Sequence, residues 1–252
     1  MSNVLIVGAD HGIGYYLAQS LLDAGNKVAV LDIQTEHIRQ LKEKYSDALM
    51  VIRADATDEG SILEGVQSTL ASFGSIDIAI HNACICTFES EADSGIEVYQ
   101  SVMDVNYYGA LRLAKAVLPF MREAKSGRVI FTCSGVGVTG FENISPYASS
   151  KGAIESLAKC LEIENSKYGI SFHVFHPPLT DTEAASGLPI PKEFKADPQK
   201  VGQGLAKHIN SKKFVICPNV SQAVSMFMCY RYPLKFGKLL AKATQNVKEG
   251  TR

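Results

Sequence analysis

Tyr147-Ala-Ser-Ser-Lys151 sets a phenol and an ammonium four residues apart, directly after Pro146. On a helix that spacing puts both side chains on one face, one turn apart. A free tyrosine titrates near pH ~10, too high for efficient proton transfer at neutral pH. A nearby ammonium favours the phenolate and pulls that value down. Such a pair could give a proton to a developing alkoxide or take one from an alcohol. Ser134 precedes Tyr147 by thirteen residues and offers a hydroxyl to the same substrate oxygen. Alone, a Tyr-xxx-Lys pair is usually a solvated surface pair, so its meaning depends on the elements around it.

A second constellation is Gly8-Ala-Asp-His-Gly12-Ile-Gly14. It follows the apolar run Val4–Val7 and opens a helical pattern. A strand-to-helix turn aims free backbone N–H groups at whatever lies there, and the helix dipole favours an anion. Glycines let a pyrophosphate approach the backbone and let the helix pack on the strand. Asp32 lies eighteen residues after Gly14, at the end of the second strand pattern. A carboxylate there could accept hydrogen bonds from both adenosine ribose hydroxyls and would repel a 2′-phosphate. It could equally cap the next helix. Asp55, past the third strand, could reach an adenine or only cap a turn.

The elements behind these groups alternate. Strand patterns fall at Val4–Val7, Lys27–Leu31, Leu49–Ile52, Ile76–Ile80, Arg128–Thr132, Ser171–Phe175 and Lys213–Cys217. Helical patterns fall at Gly12–Ala24, Gln34–Lys44, Asp58–Phe73, Ser94–Arg122 and Tyr147–Tyr168. Nearly continuous apolar strands alternating with helices predict an α/β fold, a doubly wound parallel sheet of about seven strands with helices on both faces. Its ligand site lies beyond the carboxyl ends of the strands. One domain, 1–252, is expected. Residues 177–198, with five prolines and no periodic pattern, predict a substrate lid.

With these motifs the chain resembles the short-chain dehydrogenase/reductase family along nearly its whole length. Gly8-xxx-Gly12-x-Gly14, Asp55, His81-Asn82-Ala83, Asn106, Ser134, Tyr147-xxx-Lys151 and Pro177 through Thr182 carry the likeness. The resemblance implies a Rossmann-type fold and a catalytic set of Asn106, Ser134, Tyr147 and Lys151. Tyr147 would be the acid/base, Ser134 would orient substrate, Lys151 would also hold the nicotinamide ribose, and Asn106 would steady a proton relay. It further implies NAD held by Gly8, His11, Gly12, Ile13, Gly14, Asp32, Asp55, Ala56, Asn82, Ala83, Tyr147, Lys151, Pro177 and Thr182. The reaction implied is hydride exchange between NAD(H) and a ketone or secondary alcohol. The chain departs from the family pattern at Val7, usually Thr; at His81 and Cys84, usually Asn and Gly; and at Pro178, usually Gly. His176-Pro-Pro-Leu-Thr-Asp-Thr182 is similar to a stretch of 3-ketodihydrosphingosine reductase-like members.

Composition narrows the remaining possibilities. A net charge of -1 gives no sign of nucleic acid. Six scattered cysteines and six histidines show no metal-ligand spacing, and no metal is expected. Nothing resembling a signal peptide precedes Val4, so reduced thiols in a cytoplasmic enzyme are the expectation. Residues 219–252 carry six basic side chains against Glu249. Within them Phe236, Leu239, Leu240 and Ala243 fall at i, i+3, i+4, i+7, with Lys235, Lys238 and Lys242 on another face. Such a helix packs on its own domain or a neighbouring subunit, or docks on an anionic membrane beside a keto-lipid substrate. The expected partners are a small carbonyl or alcohol substrate and further copies, as a homodimer or homotetramer. A non-catalytic NAD(H) sensor has no need of Tyr147, Lys151 and Ser134 together. Epimerases and dehydratases on this scaffold typically carry a larger substrate domain.

Overall fold

The computed structural model describes the backbone of residues 1–188 and 190–250, and side chains as far as Lys242 in the C-terminal helix. The elements are β1 (Asn3–Val7), α1 (Gly12–Asp23), β2 (Lys27–Asp32), α2 (Glu36–Gln40), α3 (Lys42–Tyr45), β3 (Leu49–Arg53), α4 (Glu59–Phe73), β4 (Ile78–His81), α5 (Ile96–Met103), α6 (Gly109–Ala124), β5 (Gly127–Thr132), α7 (Val136–Thr139), α8 (Ser145–Asn165), β6 (Ile170–Phe175), α9 (Pro198–Lys207), β7 (Val215–Ile216), α10 (Val220–Arg231) and α11 (Pro233–Gly250). The strands form one seven-stranded sheet in the order β3-β2-β1-β4-β5-β6-β7. Every strand pair is parallel.

Alternation along the strands feeds two cores. Val4 and Ile6 face α1 and α9, with Val201 and Leu205. Leu5 and Val7 face the other layer, with Phe131, Phe172 and the buried residues of α4, α6 and α8. Burial on both faces is the reason β1 reads as an unbroken apolar run. The chain enters at mid-sheet, winds outward to β3, then crosses to β4 on the far side of β1. The crevice at this reversal, between the carboxyl ends of β1 and β4, is where such sheets bind ligands.

Several expectations change. The helix expected over Gln34–Lys44 is two short helices, α2 and α3. At the junction Leu41 N donates to Ile38 O, a tight i→i−3 bond, and both side chains reach the core. Helix α9 did not stand out in the sequence, yet Asp197 and Pro198 mark its start. The Asp197 carboxylate accepts from Gln199 N at 2.8 Å, and proline suits the first helical position. The Leu179–Asp197 segment is not featureless. It contains turns at Glu183–Ala185 and Lys192–Phe194, and Thr180 pairs with Ala196 as a parallel bridge. Lys195 Nζ donates to Ala185 O at 3.0 Å, and Gly187 packs on Phe88.

The C-terminal helix corrects the expected apolar face. Phe236 is half-buried, but Leu239 is 61% exposed among the lysines. Helix α11 rests on α7 through Gly237, which faces the Thr139 carbonyl, and Ala241 is buried one turn on. Ala243 lies outside the described side chains. Among the described residues no helix is long and apolar enough to cross a membrane.

Candidate active site

The glycine loop is shaped by contact with β4. Gly8 adopts φ +87°, and a Cβ there would collide with the Ala83 backbone. A Cβ on Gly14 would strike Gly8 O and approach Asn82 Nδ2. Asn82 Nδ2 donates to Gly8 O at 2.7 Å, and Asn82 Oδ1 accepts from Thr132 Oγ1 at 3.0 Å. The amides of Asn82 and Ala83 both donate to Val7 O. Helix α1 starts at Gly12 with no side-chain cap and no acid in its first turn. Its leading amides, Ile13 and Gly14 included, therefore suit an anion. Thr182 is brought over the same loop, its Cγ2 3.1 Å from where a Gly12 Cβ would stand. This cradle fits the pyrophosphate of a dinucleotide.

At the end of β2, Asp32 does not cap α2. Its Oδ2 accepts from Ala9 N at 2.7 Å and Asp10 N at 2.8 Å, and its Oδ1 accepts from Gln34 N at 3.2 Å. The carboxylate that serves α2 is the buried Asp10, whose Oδ1 accepts from His37 N at 3.0 Å and Ile38 N at 2.8 Å. His11 and His37 gather at its other oxygen, with ring centroids 4.1 Å apart. Sequence reasoning missed Asp10 and His37, because an acid between two glycines has no periodic signature. Asp55 makes a local turn, accepting from Thr57 N and Oγ1 at 2.8 Å. The cap of α4 is instead Asp58. Ala56 is buried, and its carbonyl accepts from Arg112.

Ser134, Tyr147 and Lys151 meet beyond β5. Lys151 is buried and its Nζ donates to Thr132 O at 2.8 Å, 5.4 Å from the Tyr147 ring centre. Cys133 Sγ donates to Lys151 O at 3.1 Å, pinning the strand end to the helix. Asn106 sits in a π-helical turn, Asp104–Tyr108, between α5 and α6. Single wide turns of this kind recur at functional sites. Its Oδ1 accepts from Ile85 N at 2.9 Å, and its Nδ2 donates to Ile85 O and to Ser150 Oγ. Asn106 thereby ties the β4–α5 loop to the start of α8.

The phenol of Tyr147 is held well above its ordinary pKa. Burial is the largest cause, the neighbouring thiols of Cys84 and Cys86 add to it, and a bond with Ser134 pulls the other way. The expectation that Lys151 depresses it is not met here, because burial prevails and the ammonium is committed to the Thr132 carbonyl. Tyr147 so held carries its proton at neutral pH.

Behind this site lies a buried cluster not foreseen from sequence. His176 ends β6 with no exposure, and its Nε2 is 3.5 Å from Glu155 Oε2 on α8 and 3.3 Å from the Tyr230 hydroxyl of α10. Lys159 Nζ donates to Glu155 Oε1 at 2.7 Å. Burial alone would raise the Glu155 pKa, but bonds from His176, Lys159 and Tyr230 outweigh it and hold it at about 2. His176 thus has the carboxylate partner that the sequence did not reveal. His173 is held within the fold by Arg128, Ser171 and the Lys213 carbonyl. His81 is fully buried and Gly109 leaves room for it. Burial, then the Lys151 charge, push its pKa down to about 3. Folding also gathers Asp10, His11 and His37, and Cys133, Glu155 and His176, into two groups whose ligating atoms lie within 4.8 Å of one another. No sequence spacing announces either group.

A profile of the short chain dehydrogenase family matches residues 2–191. The chain belongs to the short-chain dehydrogenase family. It is 30% identical over 237 residues to the 2-(R)-hydroxypropyl-CoM dehydrogenase of Xanthobacter autotrophicus Py2, covering 90% of this chain and 91% of that one. Its fold is that of a short-chain dehydrogenase from Burkholderia cenocepacia in complex with NADP (TM-score 0.79, 18% identity, 90% of this chain and 92% of that one). It is also that of a 3-ketoacyl-(acyl-carrier-protein) reductase from Brucella melitensis complexed with NADH (TM-score 0.78, 21% identity, 86% and 94%). This short-chain dehydrogenase is therefore an oxidoreductase of a family that acts on CH–OH groups with a nicotinamide cofactor.

The Glu155 cluster has a consequence for stability. A carboxyl with a depressed folded-state pKa stabilises above its unfolded value, near ~4.3, and that stability is lost as pH falls toward about 2. Glu155→Ala should lower stability at pH 7 by on the order of 3 kcal/mol, because a buried pair loses one partner. It should also flatten the acid limb between these values. Urea unfolding at pH 7, 4 and 3 measures both, and equal losses at all three would contradict the assignment.

Proposed function

We propose that this short-chain dehydrogenase interconverts a ketone and a secondary alcohol, using NAD(H), with Tyr147 as the acid/base. The observation that carries the reading is a proton-bearing Tyr147 beside Ser134, at the carboxyl end of β5, with the glycine cradle joined to the same strand end through Asn82. Gly8, Gly12, Ile13 and Gly14 would hold the pyrophosphate, with His11 at its edge and Thr182 above. Asp32, Asp55 and Ala56 would flank the adenosine, Asn82 and Ala83 would line the crevice, and Pro177 would border the nicotinamide end.

When bound, the nicotinamide supplies or accepts the hydride. In reduction Tyr147 gives its proton to the carbonyl oxygen as negative charge develops there. Ser134 donates to the same oxygen and fixes its approach. Lys151 adds positive charge nearby, and Asn106 keeps α5, the β4–α5 loop and α8 in register. In oxidation the proton passes from the alcohol to the Tyr147 phenolate. Burial disfavours that phenolate, so oxidation gains from rising pH while reduction does not need it.

Asp32 supports NAD over NADP. A carboxylate offers about four lone-pair sites, so one that already accepts loop amides can still accept ribose hydroxyls, and it repels a 2′-phosphate. A second reading, use of NADP(H), is favoured by the adjacent imidazoles of His11 and His37 beside Asp10. The ratio of kcat/KM for NADH and NADPH decides between them. Preference for NADH, narrowed by Asp32→Ala, is the expected result, and a clear preference for NADPH would overturn it.

Replacing Tyr147 with Phe keeps the ring and removes the proton. Turnover should fall ~10²–10⁴-fold with cofactor affinity near normal. Wild-type-like turnover in the folded variant would remove Tyr147 from the mechanism.

The Leu179–Asp197 segment packs on Phe88 through Gly187 and would act as a lid over the site. Limited proteolysis within it should slow when NADH and a ketone are both present. Unchanged cleavage would argue against closure.

A further inference from the structure

We propose that the outward faces of α10 and α11 dock this protein on an anionic lipid surface. On α10 an apolar stripe runs at i, i+4 and i+7 through Val220 (79% exposed), Val224 (59%) and Phe227 (66%), and Arg231 continues it. On α11 Leu234 (71%) and Leu239 (61%) alternate with exposed Lys235, Lys238 and Lys242. Large apolar side chains scattered singly over a surface need no explanation. These are grouped on two consecutive helices that also pack against each other.

The charge identifies the occupant. Residues 219–242 hold four basic side chains and no acidic one, although the whole chain carries -1. Apolar side chains interleaved with cations of one sign match a surface that is apolar within and anionic at its headgroups. A second copy of the chain matches less well, because a two-fold contact sets the same patch against itself and brings like charges together. The acidic remainder of the molecule would face away from the lipid.

The inner face of α10 touches the active site. Met226 and Cys229 are buried against Gly135, next to Ser134. Gln222 Nε2 donates to Pro177 O at 3.3 Å, and the Tyr230 hydroxyl meets His176. Docking therefore sets α10 between the lipid and the residues around Ser134. The docking itself does not depend on the reaction proposed above, and it is read by binding alone.

The test is co-sedimentation of the full-length protein with vesicles of phosphatidylcholine, alone or mixed with phosphatidylglycerol. Binding to the anionic vesicles at low salt should exceed binding to the neutral ones by about 10-fold or more, and should weaken as salt screens the exposed charges. Lys235→Glu with Lys238→Glu should reduce it by on the order of 10-fold or more. Phe227→Ser with Leu234→Ser should reduce it too, with circular dichroism and thermal unfolding close to wild type, since those side chains are exposed. Absence of binding to anionic vesicles at low salt would overturn the proposal. So would binding that both pairs of substitutions leave unchanged. An oligomer that fails to sediment with vesicles and dissociates on Phe227→Ser with Leu234→Ser would assign the face to a second copy instead.

Discussion

The side-chain amide of Asn82 joins the two halves of this molecule. One end donates to Gly8 O in the glycine loop, and the other accepts from Thr132 at the end of β5. The Thr132 carbonyl in turn accepts from Lys151. The glycine loop, the central strands and the helix bearing Tyr147 are thus linked by three consecutive hydrogen bonds. The geometry tolerates nothing larger than glycine at positions 8 and 14, because a Cβ would meet Ala83 at the first and Gly8 O and the Asn82 amide at the second. The connection fixes the glycine loop and the Tyr147–Lys151 helix relative to one another.

Burial, more than any single charge, sets the protonation states around that connection. Desolvation opposes the charged form of every group it reaches. It raises the Tyr147 phenol and the Cys86 and Cys133 thiols, and it drives His81 to stay neutral. Glu155 resists it, held ionised because His176, Lys159 and Tyr230 all face it. The protonated Tyr147 and the ionised Glu155 lie eight residues apart on α8, a little over ~2 turns.

That separation gives the C-terminal helices a role in the site. Tyr230 and Gln222 of α10 reach His176 and Pro177, the residues that end β6 and begin the irregular segment after it. The loop carrying Thr182 is thereby held from two directions, by its own Thr180–Ala196 bridge and by α10. The outer faces of the same two helices remain apolar and basic.

By itself the sequence determined the doubly wound sheet, because strands buried on both faces must be apolar throughout and helices must cover them. It determined the glycine cradle and the Tyr147–Lys151 pair too, since both depend on spacing within one element or one turn. It left α9 hidden inside a proline-rich stretch, although Asp197-Pro198 was a usable start signal. Only the tertiary structure decided the rest. It placed Asp10 on α2 and Asp32 on the glycine loop, and it paired His176 with Glu155 across twenty-one residues. It also raised the Tyr147 phenol where local spacing predicted the reverse. The reason is common to all of these. Hydrogen-bond partners and desolvation depend on which elements pack together in space, and no residue carries that information in its own type or in its distance along the chain.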